Sequence, residues 1–204
     1  RLAHLKKLYK HIKNQKKNRL VEWVVVVEKK DKQTIGFLKS IKKKLNLIIV
    51  YNKGGLTSAF KNGANKATGA YVSFLGDDDY LKNDIFVDLY DIIKKNRPKW
   101  IIGYGSYVNN KNLIIRKNIT YMKKILLNNF NLKTLLLVDY VMCPSSFCKK
   151  ELLKKVGYFE NTHWYGNDYV CWIRLSKFIK PLIVKDTLSY VRYNSLTKSG
   201  SFDL

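Results

Sequence analysis

Acidic side chains are scarce in this chain: 15 against 39 lysines and arginines, a formal net charge of +24 over 204 residues. So basic a chain attracts nucleic acid, anionic lipid or an acidic small-molecule substrate, and charge alone does not choose among them. The lysines are spread along the whole chain, and abundant Lys, Asn, Ile and Tyr also match what an A/T-rich coding sequence would produce. Cysteine is scarce too. Cys143, Cys148 and Cys171 are odd in number and lack CxxC spacing, which speaks against zinc and a disulfide framework. They read as small buried side chains in a reducing compartment. No apolar stretch approaches the roughly 20 residues of a membrane span, and the start at Arg1 reads as a basic amphipathic segment, not a signal peptide. There is no Walker loop and no HExxH, and His4, His11 and His163 are scattered. Gly103-Tyr104-Gly105 begins a dinucleotide fingerprint that fails at Val108, and Ser145-Ser146 lacks the frame of a nucleophile elbow.

What is present is a chain that can bury a core, at 46% hydrophobic residues. Leu2, Leu5, Leu8 and Ile12 recur at helical spacing, predicting a helix over 2–15. The continuous β-branched run at 21–27 predicts a strand covered on both faces, as in a parallel sheet. A helix through Ile35 to Leu45, a strand at 47–51, a helix ended by Gly69 and a strand at 71–75 follow. Asn83-Asp84 caps a helix stopping at Arg97-Pro98, and strands at 100–108 and 113–116 flank a hairpin turn. Residues 117–140 are helical or irregular. Short helices at 149–156 and 168–178, the latter burying Val170, Ile173 and Leu175, precede a strand at 182–193.

Alternating strands and helices predict an α/β fold with a Rossmann-like, mostly parallel sheet flanked by helices, in one domain over 1–204. Ligands bind such sheets at the carboxyl ends of the strands, where Glu28, Asn52 and the run Asp77-Asp78-Asp79 would all sit. Three adjacent carboxylates repel one another unless a cation offsets them, and a hard divalent metal carrying phosphates is the natural candidate. A solvated acidic turn capping the next helix is the plainer alternative. Asp168, in Gly166-Asn167-Asp168-Tyr169, is either the cap of its helix or a general base at a loop–helix junction. His163, Trp164 and Tyr165 just before it are either a platform for a sugar or aromatic residues packed on the domain.

Taken together, Lys53-Gly54-Gly55, the segment from Lys66 to Asp79, Val156-Gly157-Tyr158-Phe159-Glu160 and Gly166 to Leu175 resemble the glycosyltransferase family two, with the GT-A fold. The resemblance runs from about residue 5 to residue 195, with a nucleotide-binding part over about 1–100 and an acceptor-side part over about 101–204. It implies that Asp78 and Asp79 hold Mn2+ or Mg2+ and the ribose or diphosphate of a nucleoside-diphosphate sugar, a UDP-sugar in the first instance. It further implies that Glu28 contacts the base, Lys61 the nucleotide, Arg192 and Ser195 the diphosphate, and that Asp168 is the catalytic base. Asp77 stands beside Gly76, where the family's commonest first aspartate would be; Asn167 replaces a glutamate and Asn194 a histidine. The family's first strand is expected before Arg1.

The implied activity is inverting transfer of a sugar to a hydroxyl of a glycan or lipid-linked acceptor in surface polysaccharide synthesis. The place is the cytoplasm, at the inner face of the cell membrane, with peripheral contact to anionic lipid and no nucleic-acid partner. Two rivals remain: a sugar nucleotidyltransferase, and a basic nucleic-acid- or membrane-binding protein without catalysis.

Overall fold

A computed structural model describes residues 2–159 and 166–193. Helix α1 (Leu2–Asn14) buries Leu5, Leu8 and Ile12 and leaves its lysines in solvent. The β-branched run becomes strand β1 (Trp23–Glu28), followed by α2 (Lys32–Ile41), whose first turn is capped by the Asp31 carboxylate accepting from the Thr34 amide at 3.0 Å. Strand β2 (Leu47–Asn52) pairs with β1 in parallel, from Trp23↔Leu47 to Glu28↔Asn52, as a separate two-stranded sheet. Helix α3 (Leu56–Lys66) packs closely on β1: a Cβ on Gly63 would lie 3.1 Å from Val26 Cγ2. It ends at Ala67, whose amide bonds the Gly63 carbonyl, and not at Gly69, which lies in the bend beyond.

The strand expected over 71–75 is ladder-paired only as β3 (Tyr71–Val72), against β7 (Ser146–Lys149). Residues 73–75 carry the chain onward to the aspartates outside any ladder. Strand β4 (Tyr80–Leu81) and helix α4 (Ile85–Asn96) follow. Asp84 precedes α4 with a left-handed φ of 57° and makes no capping bond, contrary to the expected cap; its carboxylate instead meets Lys16 at 3.3 Å.

Strand β5 (Trp100–Val108) and β6 (Ile114–Ile115) form the expected hairpin, whose turn is tied by the Asn109 side chain accepting from the amides of Lys111 and Leu113. The uninformative stretch resolves into α5 (Lys117–Asn128) and α6 (Leu132–Leu137). Helices α7 (Lys150–Lys155) and α8 (Asn167–Ser176) and the long β8 (Leu182–Arg192) complete the chain. On α8 the buried residues are Cys171, Trp172 and Leu175, whereas Val170 and Ile173 are only half-buried. The inner face is one position off the expectation.

The larger sheet runs β3-β7-β5-β8-β4, with β6 beside β5. Its long β5/β8 ladder is parallel, like β1/β2, while the four short pairings are antiparallel. The α/β fold is therefore mixed, parallel in its long ladders. Gly103 and Gly105 are steric requirements of this sheet. A Cβ on Gly103 would sit 2.3 Å from Leu188, and one on Gly105 2.5 Å from Met142 Sδ, where β5 and β8 slip register. Trp100 stacks on Trp172, anchoring α8 against β5, and Phe159 meets Phe74 edge-on at 4.4 Å in the same core. No helix among the described residues is long and apolar enough to cross a membrane.

Candidate active site

The three aspartates differ in setting. Asp77 is exposed, whereas the carboxylates of Asp78 and Asp79 converge over Gly76. A Cβ on Gly76 would lie 2.8 Å from Asp79 Oδ2 and 3.1 Å from Asp78 Oδ1, so a side chain there would collide with the pair. The glycine standing in the first acidic position thus has a local steric reason. Burial of the Asp79 carboxyl pushes its pKa up to about 7, against the pull of the Arg192 and Gly76 amides and with the added push of Asp78 and Asp77.

Arg192, buried at the end of β8, holds this turn. Its amide donates to Asp79 Oδ1 at 2.8 Å and its Nε to the Asp78 carbonyl at 3.1 Å. Its Nη1 and Nη2 donate to the Asn109 carbonyl at 2.6 Å and to Asn112 Oδ1 at 2.7 Å, clamping the β5–β6 turn to the aspartates. Four bonds to protein acceptors make it a positioning residue for the pair.

Asp168 is the second residue of α8, and the residue before the helix is Gly166 (φ 73°) with Asn167 in the first turn, so Asp168 is not the cap. Burial raises its carboxyl above the ordinary range, opposed by the backbone amides of Tyr169 and Asp168, the nearby Lys123 charge and a hydrogen bond from the Cys143 thiol. The Tyr107 hydroxyl and the Cys143 thiol each lie in the fields of both Asp79 and Asp168.

A third acid completes the cluster, and the sequence reading missed it. Asp139 is pushed up to about 6 by burial, with Lys123 pulling down and Asp168 pushing up. Lys123 reaches it from α5, donating from Nζ to the Asp139 carbonyl at 2.7 Å, and burial lowers its own pKa. Asp139 is the only acidic residue between Asp91 and Glu151, a signal that was available in the sequence. Cys143, read as a bland buried side chain, touches the candidate base.

The family model of glycosyl transferase family 2 matches residues 1–157. The chain belongs to glycosyl transferase family 2. No curated protein matches it. Among solved structures, S. aureus TarS 1–349 in complex with UDP is 18% identical with a TM-score of 0.72, over 94% of this chain and 57% of that one. The same protein in complex with UDP-GlcNAc is 17% identical with a TM-score of 0.73, over 93% and 55%. Mannosyltransferase PcManGT from Pyrobaculum calidifontis, in complex with GDP-Man and Mn2+, is 14% identical with a TM-score of 0.69, over 98% and 55%. These likenesses establish the GT-A fold, and the chain spans little more than half the length of those structures.

In this family 2 chain the other predicted residues lie as follows. Glu28 and Asn52 end the parallel strands side by side. Glu28 pairs with Lys30 at 3.0 Å and faces Gly54, while Asn52 accepts from Ser58 and Asn62 and donates to the Gly54 carbonyl, fixing the turn into α3. Asn167, in place of the family's glutamate, donates to Thr57 Oγ1 at 2.9 Å and so ties the start of α8 to the start of α3. Lys61 is exposed one turn beyond Thr57 on the same face of α3. Ser195, Trp164 and Tyr165, together with His163 and Asn194, lie outside the described residues.

Among the described residues no group of three or more His, Cys, Asp or Glu is placed to hold a metal unaided. Two converging carboxylates are nonetheless a fitting donor set. Mg2+ and Mn2+ take oxygen ligands, and Mg2+ is usually held by one or two carboxylates with substrate phosphates supplying more. The fit also explains Asp79: a carboxyl that burial makes hard to ionise is one that a cation would relieve.

Proposed function

We propose that this chain is a metal-dependent, inverting glycosyltransferase that moves a sugar from a nucleoside-diphosphate donor, a UDP-sugar in the first instance, to a hydroxyl of a glycan or lipid-linked acceptor in surface polysaccharide synthesis. The observation that carries this reading is that Asp79, whose carboxylate converges with that of Asp78 over Gly76, and Asp168 both act electrostatically on Tyr107 and Cys143. Family membership and the fold shared with proteins solved with UDP, UDP-GlcNAc and GDP-Man support it.

Asp78 and Asp79 would hold Mn2+ or Mg2+, which when bound supplies neutralisation of the charge growing on the leaving diphosphate. Arg192 keeps the pair in place and, with Ser195, would contact the diphosphate. Glu28 recognises the base and Lys61 the nucleotide, with Asp77 at the rim; Trp164 and Tyr165 form the sugar platform. Asp168 takes the proton of the acceptor hydroxyl as its oxygen bonds to the anomeric carbon and the carbon–oxygen bond to the diphosphate breaks on the opposite face. One base and one in-line displacement invert the configuration. The raised pKa of Asp168 suits the task, because a carboxylate closer to working pH is a better proton acceptor. Two neighbours pull against that rise and favour the ionised base: the Lys123 charge and the hydrogen bond from the Cys143 thiol. In this proposal the protein acts in the cytoplasm, at the inner face of the cell membrane.

The test is donor turnover by the full-length protein with a panel of UDP- and GDP-sugars and hydroxyl acceptors, with and without chelator, and the product's anomeric configuration read by NMR. Chelator-sensitive transfer with inversion is expected. Transfer indifferent to chelator, or with retention, refutes the mechanism.

A further inference from the structure

Helix α5 has two unlike faces. Thr120, Lys123 and Leu127 turn inward, Lys123 reaching Asp139 beside the candidate base. On the opposite side Tyr121 (67% exposed), Met122 and Ile125 stand in water. Ile114 of β6 adjoins this stripe, since it lines with Lys117, Asn118, Tyr121 and Lys124 one open depression of about 400 Å3. After α6 the chain comes back alongside α5, where Asp139 meets Lys123, and just before that point Leu136, Leu137 (82% exposed) and Val138 are bare. Eight of the thirteen large hydrophobics exposed among the described residues fall within 113–138.

Along this stretch of the chain the charge has one sign, although Asp186 lies in the field of Lys124. No acidic residue occurs between Asp91 and Asp139, and Lys111, Lys117, Lys124 and Lys133 accompany the apolar groups. This combination selects among occupants. A second copy would set like charges against each other, and a nucleic-acid backbone offers nothing to Leu137 or Ile125. An anionic bilayer satisfies both features: apolar side chains enter the acyl boundary while lysines meet the headgroups. We propose that the outer face formed by β6, α5 and residues 136–138 docks on an anionic membrane surface. The proposal rests on the glycosyltransferase reading for its purpose alone. Because the inner face of α5 carries Lys123 to Asp139 and Asp168, docking sets the base one helix away from the bilayer, where a lipid-linked hydroxyl acceptor would be presented.

The experiment is flotation and titration of the full chain with vesicles of phosphatidylcholine alone and of phosphatidylcholine mixed with phosphatidylglycerol, without nucleotide. Binding to the anionic vesicles alone is expected, weakened about fivefold for each lysine neutralised in Lys117→Gln and Lys124→Gln. It should be abolished in a Tyr121→Ser, Ile125→Ser, Leu137→Ser triple variant that keeps the parent's circular dichroism. Should that variant not fold, the lysine variants decide. Equal binding to neutral vesicles, variants that bind like the parent, or a solution dimer dissolved by the triple substitution each overturn the proposal. UDP titration without vesicles reads the glycosyltransferase site separately, so failure of one is not failure of the other.

Discussion

Replacing Asp79 by Asn makes the metal-free protein more stable at neutral pH and less able to bind nucleotide. In the fold, burial above all pushes the Asp79 carboxyl up to about 7, from an ordinary 3.8. A carboxyl whose pKa is raised keeps its proton longer in the native state than in the unfolded chain, so stability falls as pH rises from about 4 to about 7. At 1.36 kcal/mol per unit, the full penalty above neutral pH is about 4 kcal/mol, of which about 1.5 kcal/mol has accrued by about pH 5. Asparagine has no such penalty. Its Oδ1 can still accept from the Arg192 amide, while its NH2 faces donors on the other side, a loss of about 1–3 kcal/mol that does not vary with pH. The stability difference, variant minus parent, should therefore grow by about 2.5–3 kcal/mol in the variant's favour between about pH 5 and about pH 8. Urea unfolding with chelator at the two pH values measures this directly. A difference independent of pH would mean that the Asp79 carboxyl titrates normally and that the electrostatic account of the site is wrong.

Other expectations concern neighbouring residues. Asp168→Asn should keep UDP binding within about twofold while lowering transfer by about a hundredfold or more, the usual worth of a positioned base; loss of UDP binding would make it structural. Gly76→Ala should weaken metal-dependent UDP binding by pressing on Asp79 Oδ2, with little change in unfolding, and a variant that binds like the parent would refute the steric reading. Arg192→Lys, which cannot reproduce the four-bond clamp, should both lower the melting temperature and loosen nucleotide binding, seen by calorimetry. Gly103→Ala should cost about 1–3 kcal/mol by overpacking on Leu188, measured by urea unfolding, without altering UDP affinity.

Periodicity and punctuation placed the long elements well, because each buries a face whose spacing is legible: Leu5, Leu8 and Ile12 on α1, and the β-branched run on β1. The short strands Tyr80–Leu81 and Ser146–Lys149 were not legible, since two or four residues carry no period and owe their pairing to β8 and β5. The ends of helices misled where tertiary contact overrode local chemistry, as at Gly69 and Asp84. The site divides in the same way. Asp78, Asp79 and Asp168 stood in recognisable local strings, whereas Asp139 and Lys123 join the site only through the packing of α5 against β5, which no local pattern announces. The clamp role of Arg192 was equally invisible, because its partners Asp78, Asn109 and Asn112 are far away in the chain.

The central claim is that Asp78 and Asp79 bind a nucleoside diphosphate through a divalent ion. Isothermal calorimetry of UDP and GDP with the full-length protein, with and without Mn2+, tests it most directly. The account predicts binding that requires the ion and disappears in Asp79→Ala. Binding unaffected by Mn2+, or none by the intact protein in its presence, contradicts it.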